Sequence, residues 1–426
     1  MMSLPVLLLG GVVGILLLLF VAIVVPASTA KGWAVTISLI AGAIVINNSV
    51  PAPVWGPVGL LLMALLVIGA ARGGLRMGWH AGSLLLVIWL TLAAFSALIS
   101  RGIGAEVVGL YFGLLLLLGV TVTALSRREV RLVLRGILIL ACLEVFLAAL
   151  EFVFRFVPLW GYRGGLMREN PFIDGIVRDQ GTFGHPLVMG YFMAVVGVIA
   201  WNGAAAGLRR GPRVALLMVI AAGLLLSGTR SAVLACLTGI LVHTLMRSHL
   251  TSWFRNIILI ASLAIVVYLQ SVNVSRLVTD LLDSGSWTHR LNSLGSVDAL
   301  LARETGEMLW GSGWGTEVSL YDRGLIPMSF GLKVVDNFVV YVLGTMGVIG
   351  LLLLAITCVV IFIRADSLGK ALVVVSVTMF FSFDIVVWFF GGMLMVFSLT
   401  LPKTDRANRS RRTSASRSRA LASQTP

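Results

Sequence analysis

Residues 103–125 read IGAEVVGLYFGLLLLLGVTVTAL. They are followed at 126–135 by SRREVRLVLR, and from Gly136 a second apolar stretch runs to Phe154. The first run carries one charge, Glu106, near its start. At ~1.5 Å per residue it is long enough to cross ~30 Å of hydrocarbon as a helix. Neither run alternates with a period of two, which excludes barrel strands. The basic cluster between them has the composition of a short cytoplasmic loop.

The same pattern repeats in both directions. Apolar runs of spanning length occur at about 5–26, 33–50, 53–71, 80–98, 131–155, 184–202, 213–228, 231–247, 255–272 and 337–363. A further run at about 370–401 is too long for one span and has Asp384 near its middle, so it divides in two. The predicted fold is all-α: a polytopic helical membrane protein with about 12–13 transmembrane helices in one domain over 1–402. Composition agrees, since 58% of the 426 residues are apolar and only 12% are charged, against ~25% charged in soluble domains. A water-soluble globule and a disordered chain are both excluded. The first run has no charged n-region and is too long for an h-region, so it is read as a span rather than a cleaved signal.

Basic residues set the expected orientation. Lys31, Arg72, Arg76, Arg127 to Arg135, Arg209 to Arg213, Arg247, Arg255, Arg364, Lys370 and the tail from Lys403 all fall on one side of this arrangement. That side holds most of the 32 basic residues and is read as cytoplasmic. The two longest connections, 156–183 and 273–336, then lie outside, the second just before the third-last helix. The tail 403–426, with Arg406, Arg409, Arg411, Arg412, Arg417 and Arg419 among serines, has no residues for a core. It is expected to be disordered and to rest on anionic lipid; nucleic acid is not an expected partner. Cys142, Cys236 and Cys358 lie inside apolar runs, and the five histidines lack metal-ligand spacing, so no disulfide framework, metal or cofactor is expected.

The outer side is poor in basic residues, yet several there are not explained by topology. Arg178 opens the segment RDQGTFGHP ending at Pro186, where Gly181, Gly184 and Pro186 read as a tight re-entry turn capped by Thr182 or His185. Arg178 either pairs with Asp179 or Asp174 in a solvated loop or joins backbone amides in an anion site at a helix N-terminus. Arg230, in SGTRS at 227–231, sits on a turn too short to lift it far from the membrane surface. It needs a partner such as Glu106, Glu144 or Glu151, or a ligand. Glu144 and Glu151, seven apart on one helix face, are read as a buried counter-charge, an acid lining a reaction cavity or a proton relay.

The long outer loop carries His289, Arg290, Asp298, Arg303, Glu304 and Glu307 before the glycine-rich turn WGSGWG at 310–315. Arg290 is either on the solvated face of a loop helix or an anion ligand. Gly344, Gly347 and Gly350, following Asp336-Asn337, read as close helix packing. Walker motifs, Asp-x-Asp pairs for a metal-bound nucleotide sugar and Ser-His-Asp or Cys-His sets are not found. Clustered arginines at the interface suit a lipid-linked pyrophosphate.

Taken together, Arg178 with GTFGHP, the span ending LLLSGTRSA around Arg230, the Arg290 segment leading to GSGWG, and DNFVVYVLGTMGVIG from Asp336 resemble the O-antigen ligase and polymerase superfamily over roughly residues 131–363. The resemblance implies a GT-C-like helical glycosyltransferase that moves a polyprenyl-pyrophosphate-linked glycan onto a sugar hydroxyl without a metal. It also implies that Arg178, Arg230 and Arg290 bind the pyrophosphate. Ligases of the family place a histidine where this chain has Asp336, so the Asp-Asn pair looks more like the polymerase branch. The residues themselves suit a single, inverting displacement in which arginines stabilise the leaving pyrophosphate. Asp336 is the first candidate base and His289 the second. The competing reading is a lipid-linked oligosaccharide flippase or other transporter, which would use Glu144 and Glu151 as coupling groups. A scaffold without chemistry would leave Arg230 unexplained.

Overall fold

The computed structural model describes residues 4–45, 52–75, 81–101, 103–162, 169–173, 175–247, 294–327 and 335–403. Nine long helices come first: α1 (Leu4–Leu19), α2 (Ala30–Ile44), α3 (Ala52–Gly73), α4 (Ala81–Ser100), α5 (Ala105–Thr123), α6 (Arg127–Phe154), α7 (Pro186–Asn202), α8 (Arg210–Ser227) and α9 (Arg230–Arg247). Three short loop helices follow, α10 (Val297–Leu301), α11 (Thr305–Trp310) and α12 (Glu317–Asp322). The chain then forms α13 (Phe338–Arg364), α14 (Ser367–Phe380) and α15 (Phe389–Thr400). Among the described residues the only β pairing is one isolated antiparallel bridge, Glu169 to Val177. Every expected apolar run has its helix except 255–272, which lies outside the described residues, as does the tail beyond Lys403.

The protein is therefore an all-α polytopic membrane protein. Seven of the described helices are long and apolar enough to cross a membrane. Those at Pro186–Asn202, Ser367–Phe380 and Phe389–Thr400 are apolar but shorter, and α9 has an arginine at each end. The shortening has a physical cause. α7 is buried along nearly its whole length, enclosed by α6, α8, α9, α14 and α15. A helix surrounded by protein satisfies its backbone internally and has no lipid thickness to match. Helices such as α4 and α8 instead expose Ile88, Phe95, Val214 and Met218, the outward apolar face of a lipid-facing helix.

One end of the bundle gathers the basic residues. The Lys31 ammonium donates to the carbonyls of Gly73 and Gly74 at 3.1 and 2.9 Å and lies 3.9 Å from Glu129. Glu129 closes a capping box with Ser126 at the start of α6. Arg72 donates to the carbonyls of Val21 and Val25, and Arg135 to that of Ala206. Lys31, Arg72, Arg127 to Arg135, Arg209 to Arg213 and Arg247 thus share one end, and the described parts of the other loops, 155–162, 169–173, 175–185, 228–229, 294–327 and 335–337, meet at the other. Cysteines placed at Ser319 and Ser416 are expected to differ in intact cells: an impermeant thiol reagent should modify only the first. Labelling at Ser416 without lysis would invert the orientation.

α13 is not continuous. Gly347 has φ 65° and ψ −167°, a break inside the helix that releases carbonyls in the turn before it. The long loop folds back to use them. Arg303 donates to Gly344 O and Leu343 O, both at 2.9 Å, while the amides of Ser312 and Gly313 donate to Gly344 O and Thr345 O at 3.1 and 2.9 Å. Gly311, Gly313 and Gly315, all at positive φ, make the turn expected at 310–315. The three-step glycines are thus not simple helix-to-helix packing. Gly347 makes the break, a side chain at Gly344 would meet Leu320 of the loop, and Gly350 turns its carbonyl to the Trp89 indole at 3.0 Å. The break docks the loop helices onto α13, which sets Glu317 and Tyr321 near Asp336.

Candidate functional site

The segment before α7 wraps the C-terminal end of α8. The Asn170 amide donates to Leu225 O and Leu226 O at 2.9 and 3.1 Å, and the Asp179 amide to Leu226 O at 3.0 Å. Arg178 donates through Nε to Ser227 O at 2.9 Å and through Nη2 to Thr229 Oγ1 at 2.7 Å. A guanidinium over exposed helix-end carbonyls is favourable because the partial charge there is negative. Arg178 is therefore not committed to Asp179; Asp174 lies outside the described residues. Gly228, at φ 59°, makes the tight turn, and a side chain on it would strike Pro171, Arg178 and Asn170. Arg230 follows directly as the first residue of α9.

Arg178 and Arg230, 52 residues apart in the chain, are thus brought to one turn. Arg230 is partly buried, its Nε is enclosed without a hydrogen-bond partner, and among the described residues it has no ion pair. The expected pairing with Glu106, Glu144 or Glu151 is not formed. Those two α6 glutamates instead hold the re-entry loop. Glu144 accepts from the Thr182 amide at 2.9 Å and the Thr182 hydroxyl at 2.6 Å, and Glu151 accepts from the amides of Gln180 and Gly181 at 3.2 and 3.3 Å. The amides expected to help bind an anion beside Arg178 are thereby used internally. The first turn of α7 is also satisfied: Pro186 has no N–H, and His185, not Thr182, caps the helix by accepting from Leu187 N at 3.2 Å. What the loop offers a ligand is guanidinium charge rather than an amide nest.

Asp179 sits beside this latch, buried, with Oδ2 lacking a partner. Burial first and the charge of Glu151 second push its carboxyl up to about 7. The folded protein therefore binds this proton more tightly than the unfolded chain, so stability is highest below about pH 4 for this group and falls as pH rises towards 7. Asp179→Asn is expected to flatten that fall and to stabilise the solubilised protein at pH 8 by about 1 kcal/mol after allowance for solvent screening. Thermal unfolding at pH 5 and pH 8 tests this; equal losses in both proteins would clear Asp179 of the effect.

The other half of the site is reached through aromatic contacts. The His185 ring lies 4.6 Å from that of Trp388, and the Trp388 indole donates to Asp384 Oδ1 at 3.1 Å. Asp384 lies in the turn between α14 and α15, so the run 370–401 does divide there. Tyr111 reaches the same turn, donating to Val386 O. Phe380 at the end of α14 packs 5.0 Å from Phe338, which opens α13 directly after Asp336 and Asn337. Asn337 caps α13, accepting from the amides of Val339 and Val340 at 3.0 and 3.1 Å. Asp336 is half-buried beside Asp384 and the loop residue Tyr321.

Arg178, Arg230 and Asp336 thus lie at the same end of the bundle, joined through His185, Trp388 and Asp384. His289 and Arg290 lie outside the described residues. Sequence reading passed over Glu317 and Tyr321 and used Asp384 only to divide a run. An acid inside an apolar stretch was the available signal, because such a group is retained in membrane proteins mainly for use. Among the described residues no set of His, Cys, Asp or Glu is disposed to hold a metal ion. The class defined so far is a polytopic helical membrane protein with a polar site at the end opposite its basic loops. No family model matches the chain, and no curated protein matches it.

Proposed function

We propose that this chain is a membrane glycosyltransferase of the O-antigen polymerase or ligase type. It would move a glycan from polyprenyl pyrophosphate to a sugar hydroxyl, in the cytoplasmic membrane of a bacterium with the site facing outward. The observation that carries the reading is the convergence of Arg178 and Arg230 on the Ser227–Arg230 turn, with the Arg230 Nε enclosed and unpartnered. A buried donor without an acceptor costs stability unless a ligand supplies one, and a pyrophosphate supplies several. Arg178 gives fixed charge from its seat on the end of α8, and Arg230 gives the donor.

In the reaction, a hydroxyl of the acceptor attacks the anomeric carbon as the bond to the pyrophosphate oxygen breaks, inverting the centre. The guanidinium groups stabilise the charge gathering on the leaving phosphate, the role an oxyanion hole plays in acyl transfer. Asp336 is the base proposed to take the hydroxyl proton. The transporter reading draws no support from Glu144 and Glu151, since both are engaged with loop amides.

The test is incubation of the purified protein in detergent with lipid-linked repeat units. Longer glycans should form, and EDTA should not stop them, because the arginines carry the leaving-group stabilisation. Loss with EDTA and recovery with magnesium would overturn the metal-free account. Transbilayer movement of the lipid in liposomes without any new glycosidic bond would replace the enzyme by a flippase.

A further inference from the structure

Beyond the arginines, the loop helix α12, the residues before α13 and the α14–α15 turn bring together polar groups of which the reaction above uses only Asp336. Tyr321 is only 4% exposed and its hydroxyl has no hydrogen-bond partner. The charges of Asp336, Asp384 and Glu317 all act on it and, after burial, raise its phenol. The Asn337 Nδ2 and Glu317 Oε2 are likewise buried and unpartnered. The backbone and rings hold these groups in place. The Trp314 ring, three residues before Glu317, lies 5.0 Å from that of Tyr341. Leu320 packs at Gly344.

The donor and acceptor types narrow the ligand. Glu317 and Asp336 accept, Asn337 Nδ2 donates, and Tyr321 does either. An inorganic cation would be met by an amide N–H₂, and the described residues offer no metal-competent set. An anion would be met by three carboxylates. A neutral molecule with several hydroxyls suits the whole set, since each hydroxyl both donates and accepts.

We infer that Glu317, Tyr321, Asp336, Asn337 and Asp384 form a saccharide-binding subsite, which takes the acceptor sugar before transfer. The assignment as acceptor subsite rests on the glycosyltransferase reading; the polyol site itself does not. It places the attacking hydroxyl against Asp336.

The full-length protein in nanodiscs can be titrated with the free saccharide released by mild acid from the host's own lipid-linked pool, following the intrinsic fluorescence of its 11 tryptophans, of which Trp314 and Trp388 lie nearest the subsite. Saturable quenching is expected in the wild type. Tyr321→Phe and Glu317→Gln keep side-chain volume and should each weaken binding about tenfold, the usual result of removing one hydrogen bond from a polar ligand held in a buried site. Thermal unfolding of each variant checks folding, and the second variant serves if the first does not fold. Binding that is unchanged in both folded variants, or a response to sodium or calcium chloride in place of saccharide, overturns the subsite. Saccharide binding that depends on Tyr321 and Glu317 in a protein that never lengthens lipid-linked glycans would keep the subsite and remove the transferase reading. In an active enzyme, the two variants should raise the acceptor KM while leaving the donor KM unchanged.

Discussion

Arg230→Lys should lower turnover about 30- to 1,000-fold, or about 2–4 kcal/mol, with expression and folding unchanged, by analogy with deleting one preorganised donor from an oxyanion site. Lysine keeps the charge but loses the planar fork and the Nε donor. In the resting protein that Nε bonds to nothing, so the replacement breaks no internal hydrogen bond. Any loss must then appear in the reaction rather than in the fold. Steady-state rates with lipid-linked donor, compared at equal amounts of folded protein, measure it. A fully active Arg230→Lys enzyme would return the residue to a structural role at the membrane surface. Arg178→Lys differs, because Arg178 also holds Ser227 O and Thr229 Oγ1 at the end of α8, so part of its loss should be in stability. The double variant should cost less than the sum if both hold one ligand.

Gly347→Ala should destabilise the protein by on the order of 4 kcal/mol or more. Its backbone, at φ 65° and ψ −167°, lies in a region that only glycine enters without strain. A methyl group there would also collide with the backbone of Leu309 and the amide of Gly311, neither of which is a flexible side-chain tip. Relief would require undocking α11 from α13, which would strand Arg303, nearly fully buried, without its two carbonyl acceptors. Thermal unfolding and detergent-soluble yield report the effect. Gly109→Ala is the control: nothing lies near its added methyl, and alanine is the better helix former by roughly 0.5–1 kcal/mol. Equal melting of the two variants would show that the loop is not held by the break.

The apolar runs marked the helices because a chain in lipid must satisfy its backbone within each segment, which makes helix position a local property. The basic loops likewise marked one end of the bundle. Arg178 and Arg230 stood out as charges on an otherwise basic-poor side. Which helices face lipid was not legible, since apolarity is the same whether a helix faces lipid or protein; α7, α14 and α15 are the shorter, largely buried ones. Gly347 as a helix break was also beyond sequence pattern, because three-residue glycine spacing fits packing equally well.

By itself, then, the sequence determined an all-helical membrane protein, the end on which its basic loops gather, and two arginines needing a partner. Tertiary structure alone decided that Arg178 rests on Ser227 O and Thr229 Oγ1 while the Nε of Arg230 stays without a partner. Glu144 and Glu151, read as counter-charges for Arg230, went to the amides of Gln180, Gly181 and Thr182. Glu317, Tyr321, Asp336 and Asp384, spread over three segments, came to one place. The reason is physical: burial makes an unpaired polar group costly, so which of them finds a donor or acceptor within about 3 Å and which is left for a ligand depends on segments far apart in the chain.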